Sequence, residues 1–124
     1  MAQDIISDAL NKMMNAKRAN KTTIELSYHS KLLSSILAIA KLKGYVKAYK
    51  VEGKKITIEL DKLNYCKAIK PRFMAQVEEL GKYEKRYLPA KNFGTIIVST
   101  SQGLMTHQTA EEKHIGGSLL AYFY

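Results

Sequence analysis

Three small hydroxyl side chains stand together in the last third of the chain, where a short β-branched run ends. Residues 96–98 read Ile-Ile-Val, the composition of a strand that is buried on both faces. The hydroxyls and backbone N–H groups that follow can donate neutral hydrogen bonds. Gly103 can take a positive φ and has no Cβ, so a partner surface can approach its backbone closely. The pattern predicts a rigid polar loop that contacts a partner through Ser99, Thr100, Ser101, Gln102 and Gly103.

The same stretch contains the residue types of a hydrolase or a metal site, but their spacing argues against both. A nucleophilic serine at a strand-to-helix turn needs a Gly-x-Ser-x-Gly pattern, which Ser99 and Ser101 lack. His107 and His114 are seven residues apart and could share a helix face, yet no third metal ligand has a matching spacing. We therefore expect no catalytic residue, no metal ion, no cofactor and no small-molecule substrate.

The charge of the chain favours a polyanionic partner. Twenty basic and eleven acidic residues among 124 give a formal net charge of +9. Residues 92–124, which include the polar loop, contribute one lysine and two glutamates, so the excess lies elsewhere. Recognition by the loop would therefore depend on hydroxyls and backbone groups rather than on bulk charge.

Composition also predicts the class of protein and its compartment. An apolar fraction of 46% is enough for a folded core, and no apolar run is long enough to span a bilayer. The first residues lack the basic and apolar regions of a signal peptide, which predicts a cytoplasmic protein without a membrane partner. A single cysteine, Cys66, cannot form an internal disulfide, and we interpret it as a small half-buried side chain.

The first sixty residues predict two helices and three strands in the order α-β-α-β-β. Apolar residues recur at helical spacing in both helices and alternate with polar residues in the strands. Ser30 is the expected cap of the second helix. The predicted segments are residues 5–19 after a cap at Asp4, 22–28, 31–43, 45–51 and 54–60.

A lysine in the first turn of the second helix is notable. The helix dipole disfavours a cation at this end, so Lys31 could be kept for an external anion. It could equally be an exposed lysine without a role. The residues alone leave both interpretations open.

Cations and aromatic side chains alternate in two clusters of the second half. Such clusters suit a nucleic-acid backbone with unstacked bases nearby, although they are also found on solvated edges. The first cluster contains Lys67, Lys70, Arg72 and Phe73 beside Pro71, and the second contains Lys82, Tyr83, Lys85, Arg86 and Tyr87. Beyond them, Thr106 is expected to cap a short helix over residues 107–115 that stops at Gly116, and residues 119–123 predict a last strand.

Several of these motifs resemble the family of small ribosomal subunit protein eight. The resemblance is carried by the Ser-Thr-x-x-Gly pattern of the polar loop, the paired glycines at 116 and 117, residues 8–16 of the first helix and residues 30–32 at the start of the second. Residues 68–73 and 85–90 resemble the archaeal and eukaryotic branch. Ser118 stands where bacterial members usually carry an acidic residue, so a contact of that acid is not transferred here.

The resemblance implies a fold, a role and a set of contact residues. The fold would be α+β, with an N-terminal α-β-α-β-β domain over residues 1–62 packed beside a mostly-β domain with one short helix over residues 63–124. The role would be that of a structural constituent of the cytoplasmic small ribosomal subunit, among other small-subunit proteins. It would bind a central-domain helix of the ribosomal RNA and support its assembly. The RNA-binding residues would be Lys31, Arg72, Arg86, Tyr87, Ser99, Thr100, Ser101, Gln102, Gly103 and Gly117.

Physical reasoning supports RNA, with one alternative left open. The major groove of A-form RNA is too narrow for side chains to read, so recognition falls to the minor groove, its 2′-hydroxyls and unstacked bases. Short neutral donors suit that surface. The alternative is a basic DNA-binding or architectural protein, which would need a recognition helix or a minor-groove wedge.

Overall fold

The computed structural model describes residues 5–28, 30–69, 74–90 and 93–124. It confirms the α+β class, with antiparallel sheets. The chain divides into two compact units, Met1–Lys67 and Ala68–Tyr124. The domain boundary between residues 62 and 63 stays a prediction about independently folding parts. The elements are α1 Ile5–Arg18, β1 Thr23–Leu26, α2 Lys31–Leu42, β2 Val46–Glu52, β3 Lys55–Leu60, β4 Cys66–Ala68, β5 Met74–Ala75, a 3₁₀ turn Val77–Glu79, α3 Leu80–Tyr87, β6 Thr95–Thr100, β7 Gly103–Thr106, α4 His107–Glu112 and β8 Gly117–Phe123.

The first unit is a three-stranded antiparallel sheet in the order β1-β3-β2 with two helices. Period-two alternation buries one face of β3, so that Ile56 and Ile58 are inaccessible to solvent. The apolar stripes of α1 and α2 are buried as their spacing predicts, and α2 contacts β2. The predicted α-β-α-β-β order is confirmed in this unit.

The second helix begins at the predicted cap. The Leu33 backbone N–H donates to Ser30 Oγ at 3.1 Å, which satisfies one of the free donors in the first turn. Lys31 is thereby the first helical residue, and its side chain is exposed. The expected cap of α1, Asp4, lies outside the described residues.

The cysteine is more completely buried than a half-buried side chain. Cys66 is 2% exposed, its thiol donates to the Leu10 carbonyl oxygen at 3.6 Å, and its backbone N–H donates to Met14 Sδ at 3.3 Å. Burial raises the pKa of the Cys66 thiol to about 12. The thiolate, which is the reactive form, is therefore scarce at neutral pH.

A polar contact joins α1 to the segment that follows β1. The Tyr28 hydroxyl donates to the Asp8 carboxylate, and Lys12 Nζ lies 3.4 Å from Asp8 Oδ2 and 5.1 Å from the Tyr28 ring centroid. The hydrogen bond from Tyr28 lowers the pKa of Asp8, and Lys12 adds to that effect. Burial, followed by the neighbouring carboxylate, raises the pKa of Tyr28 above its usual 10.0. The contact ties the residues just before α2 to α1.

The sheet of the second unit has β6 between β8 and β7, with β5 also paired to β8. Strand β6 is fully buried from Thr95 to Val98, as its β-branched composition predicts. Its side chains join the core formed with Leu80, Leu119 and Ala110. A bulge between β6 and β8 shifts the register near Val98.

Helix α3 was not predicted, so the described residues of this unit form two short α-helices rather than one. Leu80, Tyr83, Glu84 and Tyr87 have helical spacing, but an acidic residue in the stripe obscures the pattern. The stop of α4 was also placed wrongly, at Gly116. The helix ends at Glu112, because His114 takes a left-handed conformation with φ 56° and reverses the chain earlier.

Gly117 lies at the start of β8, directly against β6. A Cβ built on Gly117 would clash with the Ser99 carbonyl oxygen and would lie 2.8 Å from Val98 Cγ1. Gly117 is itself buried. The absence of a side chain thus allows the two strands to approach each other.

The Gly117 contact predicts a loss of stability in Gly117→Ala. We expect the free energy of unfolding to fall by about 1–3 kcal/mol, because the methyl group must displace a carbonyl oxygen inside the sheet. Gly81→Ala is the matched control, since Gly81 lies in α3 with open space around it. It should raise stability by up to about 1 kcal/mol through helix propensity. Urea unfolding followed by circular dichroism measures both, and an unchanged Gly117→Ala protein would contradict the close approach.

The Asp8–Tyr28 contact predicts a dependence of stability on pH at both extremes. The lowered pKa of Asp8 stabilises the fold above about pH 3.8, and that stabilisation is lost as the pH falls through the folded value. The raised pKa of Tyr28 stabilises the fold below pH 10.0 and is lost as the pH rises further. Urea unfolding from pH 2 to 11 measures the free energy of unfolding as a function of pH. Tyr28→Phe should reduce its decrease at both the acidic and the alkaline end, whereas Tyr49→Phe should leave both decreases unchanged. An unchanged pH dependence of stability in Tyr28→Phe would show that the Asp8–Tyr28 contact does not contribute to it.

Candidate nucleic-acid interface

The polar loop is the tip of a tight hairpin between β6 and β7. Thr100 pairs with Gly103, so the turn itself consists of Ser101 and Gln102. Gly103 has a φ of 106°, in the left-handed region that favours glycine. The sequence analysis noted only that Gly103 can take a positive φ, and the structure shows that it does.

The Thr100 hydroxyl holds the turn from inside. Its Oγ1 donates to the Gly103 carbonyl oxygen at 2.8 Å and accepts from the Gln102 backbone N–H at 3.1 Å. One partner lies in the turn and the other is the first residue of β7. Thr100, which the sequence predicted as a contact residue, is therefore placed to stiffen the turn.

Ser101, Gln102 and Gly103 are exposed at the tip. Within the described part of the chain, the side chains of Ser101 and Gln102 make no hydrogen bond. A Cβ built on Gly103 would meet no atom within 4 Å, so the backbone there is open to a partner. The tip thus exposes a hydroxyl, a side-chain amide and main chain, in a turn that the Thr100 hydrogen bonds stabilise.

The base of the hairpin contains the remaining predicted residues of this region. Ser99 is half-buried and lies opposite Leu104 on β7 and Ser118 on β8. Gly117 is buried against the Ser99 carbonyl. The structure therefore brings Gly117 to the hairpin, but as packing beneath it rather than as exposed surface.

Helix α3 supplies the cationic and aromatic residues. Arg86 is exposed, and its Cζ lies 5.5 Å from the Tyr87 ring centroid. The Tyr87 ring stacks on Tyr122 of β8 at 5.1 Å. Aromatic contacts continue on both sides, to Tyr83 at 6.4 Å from Tyr87 and to Tyr124 at 6.4 Å from Tyr122. Sequence reasoning gave Tyr122 and Tyr124 no part in the site, although their alternation along β8 places them on one face.

The other two cations predicted to bind RNA, Lys31 and Arg72, do not lie on α3. Lys31 is exposed at the start of α2 in the first unit. Arg72 lies outside the described residues. The site residues as a set stay a prediction.

A buried polar pair connects α3 to α4 and β6. His107 is 0% exposed and Glu84 is 8% exposed. His107 Nε2 lies 3.0 Å from Glu84 Oε2, and His107 Nδ1 lies 3.1 Å from the Ile96 backbone nitrogen. Both ring nitrogens are thus occupied inside the core. His114, by contrast, is exposed, so the two histidines do not share a surface.

The described residues contain no group of three or more metal-ligating side chains that could hold an ion. Within the same residues, no helix has the length and apolar character needed to cross a membrane.

Comparison with known proteins identifies the family. The family model described as ribosomal protein S8 matches residues 4–124. The chain is 46% identical to the small ribosomal subunit protein uS8 of Nanoarchaeum equitans and 40% identical to that of Archaeoglobus fulgidus, in each case across the full length of both chains. Both organisms are archaeal, in agreement with the archaeal-type segments of the sequence. The chain therefore belongs to the ribosomal protein S8 family, whose members are non-enzymatic structural components of the small ribosomal subunit.

Proposed function

We propose that this protein binds a helix in the central domain of small-subunit ribosomal RNA directly and supports its assembly. It would act in the cytoplasm, within the small subunit and beside other small-subunit proteins. The observation that carries the proposal is the β6–β7 hairpin, in which Thr100 is bonded internally while Ser101, Gln102 and Gly103 face outward.

The shape of the hairpin favours RNA over duplex DNA. A two-residue turn with neutral donors can reach the shallow minor groove of A-form RNA and its 2′-hydroxyls. Reading the DNA major groove needs a helix or a strand pair that presents long side chains to base edges. Helices α1 and α2 instead bury their apolar stripes in the first unit.

The proposed contacts divide into two kinds. The exposed cations Lys31 and Arg86, together with Arg72, would neutralise phosphates, and Tyr87 would offer a ring beside Arg86. The hairpin tip would recognise local RNA shape without charge. Gly117, being buried, would act by supporting Ser99 rather than by touching RNA.

The first test compares nucleic-acid classes. We expect tight binding to a hairpin that copies the central-domain helix, and much weaker binding to a scrambled RNA hairpin and to duplex DNA of equal length. Fluorescence anisotropy at several salt concentrations measures all three, because affinities at a single salt concentration are not comparable. Equal affinity for duplex DNA would favour the architectural-protein alternative.

The second test separates phosphate contacts from shape recognition. Lys31→Ala and Arg86→Ala should weaken binding to cognate and scrambled hairpins alike, and each should lower the slope of log affinity against log salt by about one. Ser101→Ala should weaken cognate binding by about 1–3 kcal/mol, if its partner in the complex is left unpaired, and leave the salt slope intact.

Two controls belong to this experiment. Ser101 is exposed, so Ser101→Ala should unfold in urea as wild type does, and a binding loss cannot come from misfolding. Lys54→Ala removes an exposed cation outside the proposed site and should change neither selectivity nor the ranking of the variants. Equal losses for both hairpins in Ser101→Ala would exclude the hairpin tip as the element that gives selectivity.

A further inference from the structure

We infer that Glu84 and His107 form a positioning pair that fixes Arg86 relative to the β6–β7 hairpin during RNA binding. The inference rests on the proposed function and adds two residues that touch no RNA. It is carried by a chain of hydrogen bonds from β6 through the His107 ring to the middle of α3.

The hydrogen-bond partners set the tautomer of His107. The Ile96 backbone N–H donates to Nδ1 at 3.1 Å, so Nδ1 carries no hydrogen. Nε2 must then carry it and donates to Glu84 Oε2 at 3.0 Å. Each ring nitrogen has a single role, and the ring orientation is fixed at both ends.

His107 lies directly after the last residue pair of the β6–β7 ladder. The β6–β7 ladder ends with Ile97 opposite Thr106, and α4 begins at the next residue, His107. The same register would set His107 against Ile96, but a helical residue cannot continue the ladder. The imidazole accepts the Ile96 N–H instead, which avoids a buried donor without a partner.

On α3 the pair controls the direction of the exposed cation. Glu84 faces inward with Leu80, Tyr83 and Tyr87, which pack on the core. Two positions along a helix turn the side chain to the opposite side, so Arg86 faces solvent. Packing against apolar neighbours is not directional, whereas the bond to His107 restricts how far α3 can slide or rotate. The position of Arg86 is thereby tied to β6, the strand that leads into the hairpin.

A catalytic role for this pair does not fit the geometry. His107 is completely inaccessible, and both of its nitrogens are engaged within the fold. A base that exchanges protons with a substrate needs access to it. Positioning is the role that a buried and fully bonded pair can perform.

The test is a double-mutant cycle measured in RNA affinity. Glu84→Met keeps side-chain length and helix propensity but cannot accept the hydrogen bond. We expect it to weaken binding to the central-domain hairpin by about tenfold and to lower the salt slope by about one, as the loss of one phosphate contact would. In that background, Arg86→Ala should cost less than about twofold, although it costs about tenfold in wild type.

Three variants serve as controls. Glu84→Gln keeps an acceptor oxygen for Nε2–H and should bind within about twofold of wild type. Lys31→Ala, in the other structural unit, should show its full loss in the Glu84→Met background. His107→Asn can still accept from Ile96 but is too short to reach Glu84, so it should reproduce the Glu84→Met cycle.

The outcomes separate this inference from the proposed function. If wild type does not prefer the cognate hairpin over the scrambled one, the proposed function fails and this inference fails with it. If wild type shows the preference but the losses from Glu84→Met and Arg86→Ala add fully, only the positioning role is overturned. Circular dichroism must show that the variants are folded. If neither Glu84→Met nor His107→Asn folds, the pair is a folding determinant and the positioning role is also overturned.

Discussion

Burial of β6 is the constraint on which the second unit depends. Its residues from Thr95 to Val98 are inaccessible, with β8 on one side and β7 on the other. A strand in that position must have every backbone group bonded, and the β6–β7 ladder ends before it can provide a partner for the Ile96 N–H. The His107 ring meets that need and thereby connects the sheet to α3. One unsatisfied amide thus explains why a histidine follows the last residue of β7.

The polar hairpin places two neighbouring hydroxyl groups in different surroundings. Thr100 and Ser101 are neighbours of similar chemistry, yet one hydroxyl points into the turn and the other has no bond within the described residues. A turn that is braced by its own side chain loses little conformational entropy when a partner binds. Thr100 therefore stiffens the turn, while the adjacent Ser101 keeps an exposed hydroxyl, and the composition of the loop alone could not separate the two.

The sequence predicted those parts of the fold that local patterns determine. Spacing and residue type determine the apolar stripes of α1 and α2 and the cap at Ser30. Helix α3 escaped prediction because Glu84 looks like a surface acid until its distant partner is known. The role of Gly117 was also hidden, because its contact is with a strand eighteen residues earlier. Both features were missed because they depend on interactions between residues far apart in sequence.

The burial of Cys66 makes the protein convenient to label. The native thiol is buried and donates to the Leu10 carbonyl oxygen of α1. Burial raises its pKa, so little thiolate is present at neutral pH to react with thiol reagents. A second cysteine placed on an exposed position would react selectively while the native one stays in place. A dye or spin label can therefore be attached at a single chosen point without first mutating the core.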